Sequence, residues 1–139
     1  MNEQANTQLI QQAYEAFGRG DVLAVLSMLT DDVDWYTPGS SDIPYAGRRR
    51  GRDGAAKFFR LLSEADETLA FDPREFFANG DKVVVLVSYQ GRARATGKMI
   101  EQEWIQVFTV RNGKIASFRE FYDTAAIAAA YRRESAVGQ

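Results

Sequence analysis

The chain has no cysteine, no histidine and only three prolines. Without cysteine there are no disulfides, thiol nucleophiles or Cys-based zinc and iron–sulfur sites. Without histidine, Ser-His-Asp and Cys-His catalysis, His-ligated metals and an imidazole base are all excluded. A general acid or base is therefore a carboxylate, a lysine, a tyrosine or bound water. An excess of basic charge is missing as well. The 17 Lys+Arg stand against 19 Asp+Glu, a net charge of −2, which argues against nucleic acid as a partner. The longest apolar stretch, Lys82 to Tyr89, falls far short of the ~20 residues of a membrane span. The opening Met1-Asn2-Glu3-Gln4-Ala5-Asn6 has no charged-then-apolar leader pattern. The expectation is a cytoplasmic protein with neither membrane nor nucleic-acid partner, and with no metal or cofactor.

What is present suits one domain over residues 1–139. The length lies in the ordinary domain range, and 45% apolar residues can build a core. Asn6 and Thr7 are candidate caps for a first helix carrying Ile10, Ala13, Tyr14 and Phe17 at helical spacing. Gly18-Arg19-Gly20 ends it, and Asp21 caps a second helix through Val22, Val25, Leu26 and Leu29. Val33 to Thr37 is predicted as a brief strand, followed by a loop through Pro38, Pro44 and Gly47. Asp53 opens a third helix with Phe58, Phe59, Leu61 and Leu62 on its apolar side. From Thr68 the pattern changes to β-branched and aromatic residues over 68–79, 82–96, 98–111 and 114–123. Turns at Asn79-Gly80-Asp81, Ala95-Thr96-Gly97 and Arg111-Asn112-Gly113 divide these runs. Gly91 is a candidate bend, and Asp123-Thr124 caps a last, Ala-rich helix. Helices first and then a four-stranded meander define an α+β layout.

This succession resembles the NTF2-like superfamily, with its SnoaL-like and ketosteroid-isomerase-like members. The resemblance rests on Ala16-Phe17-Gly18-Arg19-Gly20-Asp21, Leu29-Thr30-Asp31-Asp32-Val33-Asp34-Trp35 and Gly51-Arg52-Asp53 before Phe58-Phe59. Asn112-Gly113-Lys114-Ile115 and Arg119-Glu120-Phe121-Tyr122-Asp123 complete it. It implies a cone-shaped α+β barrel, with N-terminal helices packed on a strongly curved, mainly antiparallel sheet. The concave face would enclose an apolar pocket, and the convex face would pair two copies as a homodimer.

Strand alternation offers two faces for each strand, and the resemblance selects the inward ones. These are Val33, Trp35 and Thr37; Trp104, Gln106 and Phe108; and Phe118, Glu120 and Tyr122. With Tyr14, Phe17 and Phe59 from the helices, they make an apolar pocket with few polar anchors, the usual small-molecule site. Aligned on the ketosteroid isomerases, the base position falls on Thr37, the Tyr position on Ala13 and the second Asp on Gln106, so that mechanism is not expected. The Asp-His dehydratase pair is impossible without histidine. The Asp-Arg-Asp set of the limonene-epoxide-hydrolase-like members has no clear match. Glu120 is the nearest counterpart of the polyketide cyclases' acid–base carboxylate.

The resulting expectation is a protein that binds an apolar small molecule, with cofactor-independent isomerisation, cyclisation or dehydration by proton transfer. Glu120 would move the proton, Tyr122 and Gln106 would hold a substrate carbonyl, and Trp35 and Trp104 would stack the ligand. The alternative is a non-catalytic ligand- or partner-binding dimer, and the sequence leaves both open. The other reading of Glu120 is a buried pair with Arg92 or Arg94, or an outward position, since buried ionisable groups are rare without a partner or a task. Tyr45 is a candidate cover for the pocket mouth. Asp123 is better explained as a cap, the Asp31, Asp32 and Asp34 cluster as surface, and Arg48 to Arg52 as a solvated loop.

Overall fold

The computed structural model describes residues 2–133. The chain opens with two helices, α1 (Glu3–Gly18) and α2 (Val22–Ser27). Asn2 caps α1, its side chain accepting from the Ala5 backbone N–H, and Asp21 caps α2 in the same way through Ala24. The first cap thus lies four residues before the predicted Asn6. Asn6 is instead buried in α1 and donates to the Gly80 carbonyl at 3.3 Å. Strands β1 (Leu29–Thr37) and β2 (Gly47–Arg50) follow, then α3 (Gly51–Ala65). The meander is β3 (Asp66–Asn79), β4 (Lys82–Ala93), β5 (Met99–Arg111) and β6 (Lys114–Phe121), and α4 (Thr124–Tyr131) closes the chain.

Three differences from the sequence expectation have physical causes. β1 starts at Leu29, because Leu29 pairs with Ile115 before the register shifts ahead of Asp34. β2, expected as loop, forms because Arg48 to Arg50 pair antiparallel with Asp34 to Tyr36; an edge strand can carry charge on a run with little apolar content. α3 starts at Gly51 rather than Asp53, with no side-chain cap.

The sheet runs β2-β1-β6-β5-β4-β3, antiparallel except for the β1–β6 pair. It is curved but unclosed, so β2 and β3 remain edges. The curvature is visible in α3, which packs on β1 and β2 near one edge and on β3 at the other. Two register shifts in β3, at Thr68/Ala70 and Pro73/Glu75, supply part of the bend. A third, at Ile115/Ser117 on β6, leaves Ala116 unpaired and resets the alternation, so that Ile115 and Phe118 both face inward. The inward face buries Val33, Val85, Val87, Trp104, Phe108 and Phe118 beneath Ile10, Ala13, Phe58 and Phe59 of the helices. Asn112-Gly113 takes φ values of 52° and 75°, which fits the primed turn expected of that dipeptide.

Gly91 lies opposite the first of these shifts, across from Thr68. Its lack of a side chain has a second reason. A Cβ there would sit 2.7 Å from Cζ of Tyr89, whose hydroxyl donates to the buried Asp66 carboxylate at 2.6 Å. Gly91→Ala is expected to push the phenol off Asp66 and destabilise the fold by about 1–3 kcal/mol. Thermal unfolding checks this; an unchanged midpoint would show that the Tyr89 ring shifts freely.

Candidate functional site

β6 stands at the centre of the sheet and carries Glu120 on its inward face, 3% exposed. Two strands bring it donors. Gln106 on β5 is its direct cross-strand partner, and Gln106 Nε2 donates to Glu120 Oε2 at 2.6 Å. Thr37 at the end of β1 donates its hydroxyl to Glu120 Oε1 at 3.3 Å. From α1, Tyr14 donates its hydroxyl to Gln106 Oε1 at 2.6 Å, which fixes the amide's orientation. The result is a relay, Tyr14 to Gln106 to Glu120, that runs from helix to carboxylate.

All these donors are neutral. Arg94, an expected partner, donates to the Ser63 carbonyl instead, and Arg92 is exposed. Burial raises the Glu120 pKa from 4.5 to about 7, with the Gln106 and Thr37 hydrogen bonds pulling it back down. Among the described residues no cation meets the charged form, and the neutral form is close at hand, which is the condition for proton exchange near neutral pH. Burial, and then the nearby Glu120, likewise push the Tyr14 phenol well above its ordinary value, so it stays a donor.

The space in front of Glu120 is a narrow apolar cavity of about 60 Å³. Of the residues expected to line a pocket, Trp35, Tyr14, Phe17, Phe59, Trp104, Phe108, Phe118, Gln106 and Glu120 border it. Trp35 stacks on Phe118 at 4.1 Å, and Trp104 on Tyr89 at 4.1 Å. The Trp104 indole N–H donates to Gln102 at 3.1 Å, whereas that of Trp35 is buried without an acceptor.

Two expected members stand elsewhere. Thr37 touches the carboxylate but does not border the cavity. Tyr122 lies just past the end of β6 and donates to the Pro38 carbonyl at 2.9 Å, so its hydroxyl ties the β1–β2 connection down rather than facing the cavity. Tyr45 is no surface cover. It is 1% exposed, borders the cavity and meets Phe58 edge-on at 6.0 Å. Asp123 caps α4 through the Ala126 N–H. Asp31, Asp32 and Asp34 each face an arginine, respectively Arg52, Arg111 and Arg48. The Arg48 to Arg52 run is therefore partly bound up in β2, and Arg52 also caps the Leu29 carbonyl at 2.7 Å.

Sequence reasoning missed a second polar group. Asp66, 2% exposed, accepts from Tyr89 and from Tyr131 of α4, and the Tyr131 hydroxyl lies 3.1 Å from that of Tyr45. Burial raises the Asp66 pKa against the lowering effect of those phenols. An aspartate at a helix–strand junction looks like a turn residue in sequence; only the acceptor-poor burial of three tyrosines signals more.

A curved α+β cone with a carboxylate held by neutral donors beside an aromatic cavity is an NTF2-like architecture. The sequence of residues 10–118 matches the SnoaL-like domain, and the chain belongs to the SnoaL-like family. An uncharacterized protein of Mycobacterium tuberculosis is 31% identical over 123 residues, covering 88% of this chain and 92% of its own. An NTF2-like protein from Burkholderia xenovorans is 35% identical, with a TM-score of 0.87 over 95% of this chain and 99% of that one. TerC, co-crystallized with polyporic acid, is 25% identical with a TM-score of 0.81, over 91% and 98% of the two chains.

The raised pKa of Glu120 has a stability signature. Between pH 4.5 and about 7 the folded chain holds this proton and the unfolded chain does not. The contribution is therefore full below pH 4.5 and lost as pH rises to about 7, by roughly 3 kcal/mol in all. Glu120→Gln keeps the shape and removes the titration. In urea unfolding it is expected to match the wild type near pH 4.5 and exceed it increasingly toward pH 8. Parallel stability curves would place Glu120 at its ordinary pKa.

Proposed function

We propose that this SnoaL-like protein binds an apolar carbonyl compound and transfers a proton on it without a cofactor, in an isomerisation, an aldol-type cyclisation or a dehydration. The observation that carries this reading is a buried carboxylate whose partners are all neutral, poised near pH 7 at the floor of an aromatic cavity. In the reaction, Glu120 takes the proton from the carbon next to the substrate carbonyl and becomes neutral. The carbonyl oxygen gains the charge, and the second N–H of Gln106, whose oxygen is held by Tyr14, would donate to it. Glu120 then returns the proton at the new position, or to a departing hydroxide in a dehydration. Thr37 holds the carboxylate, and the aromatic walls exclude water. The Trp35 indole N–H, buried without an acceptor, favours a ligand that brings an oxygen. Tyr122 enters as a positioning residue for the 38–46 connection.

A second reading, a carrier that binds without turnover, is favoured by one fact: both Glu120 oxygens already accept hydrogen bonds. Two copies are proposed to pair through the convex sheet face in either case. There Ile105 and Phe121 form an exposed cross-strand pair, 41% and 49% exposed, with Phe77 on the same sheet 53% exposed. Cytoplasmic action accompanies both readings. Among the described residues, no helix is long and apolar enough to cross a membrane.

Deuterium exchange at the α-carbon of a bicyclic ketone such as 2-tetralone, followed by NMR, separates the two readings. The rate is expected to rise through about pH 7 as Glu120 loses its proton and to fall roughly 10²–10⁴-fold in Glu120→Gln. Binding without exchange, equal in wild type and variant, establishes the carrier instead. Sedimentation is expected to give twice the chain mass, and Ile105→Glu with Phe121→Glu to halve it.

A further inference from the structure

The cavity before Glu120 is small for the role just proposed. At about 60 Å³ it is well under the ~150 Å³ of an engineered cavity that holds benzene. A ring enters only if part of the wall moves. Three rings of that wall, Tyr14, Phe17 and Phe71, also border a second space, a groove of about 890 Å³ between α1 and the first half of β3. Phe17 and Phe71 touch at 5.2 Å and divide the two. Phe71 lies on an edge strand between the two register shifts of β3, and its backbone is paired on one side only, with Tyr89 of β4. Once these rings swing aside, cavity and groove are one continuous space.

Gly18 gives the groove a purpose. It ends α1 with an ordinary right-handed backbone, since the positive φ of 75° belongs to Gly20. A Cβ at Gly18 would meet nothing within 4 Å. Neither conformation nor packing asks for glycine there, and glycine is a poor helix former. Its position offers a reason: Gly18 borders the groove, and a large side chain there would take up space beside it. The opposite bank carries the exposed Leu69, which the first shift leaves unpaired. Gln11, Glu15 and Thr68 supply the polar margin, and Glu15 disfavours an anionic occupant.

We propose that cavity and groove form one site for an elongated ligand: a ring head bearing an oxygen at Glu120, and an uncharged alkyl chain leaving between Phe17 and Phe71 across Gly18. This rests on the small-molecule reading of the Glu120 cavity and names its ligand class. Calorimetric titration with 4-methyl-, 4-propyl- and 4-hexylphenol tests it. Affinity is expected to rise about three- to four-fold per methylene through the hexyl member. Gly18→Trp is expected to weaken 4-hexylphenol roughly tenfold or more while leaving 4-methylphenol within about two-fold. Leu69→Asp, at an exposed position, is expected to act in the same selective way. If 4-methylphenol binds but the longer members bind no tighter, or if both variants weaken all three alike, the groove proposal is overturned and the cavity reading stands. If no member binds, both fail.

Discussion

Everything in the site depends on one constraint, a carboxylate placed on the central strand of the sheet with no cation to meet it. Glu120 accepts only from an amide and a hydroxyl. Neutral donors soften the desolvation of the charge but do not cancel it. An arginine in place of Gln106 would lock Glu120 into a buried ion pair, stable and inert to proton exchange. The amide does less, and leaves the proton affinity near neutrality. The same amide is held by Tyr14, so the helix layer sets the geometry of a group on the sheet.

The aromatic walls serve this constraint in two ways. They keep the dielectric low, which sustains the raised pKa, and they fill most of the cone. Stacked pairs at 4.1 Å fix Trp35 and Trp104 against Phe118 and Tyr89, while the rings toward β3 meet at tilted or edge-on angles. The two stacked pairs thus tie β1 to β6 and β5 to β4.

Much of this was legible in the chain. The change from helical to alternating spacing after α3, the Asn-Gly turns and the alternation that puts Trp104, Gln106 and Phe108 on one face follow from local chemistry alone. The family resemblance chose which face points inward, and Glu120 followed from the absence of histidine. What stayed hidden depends on partners distant in sequence. β2 forms only because β1 offers an edge to an arginine-rich run. The Tyr14–Gln106 bond spans helix and sheet, and Tyr122 is drawn to the Pro38 carbonyl beyond the strand that would have aimed it inward. Asp66 gathers Tyr89 from β4 and Tyr131 from α4. The unpaired Ala116 shows the limit of alternation: one extra residue turned Ile115 inward against the period of two.

The strand that carries Glu120 is also the one that joins the sheet. β2 and β1 reach the meander only through the parallel pairing of β1 with β6, so Leu29 has no ladder partner until Ile115 has been made. A ribosome delivers the chain from its N-terminus, and loop closure over so long a span comes late and slowly. The carboxylate therefore remains in water through most of the protein's assembly. Its burial is complete only once β1 has joined β6 and brought Thr37 to the carboxylate.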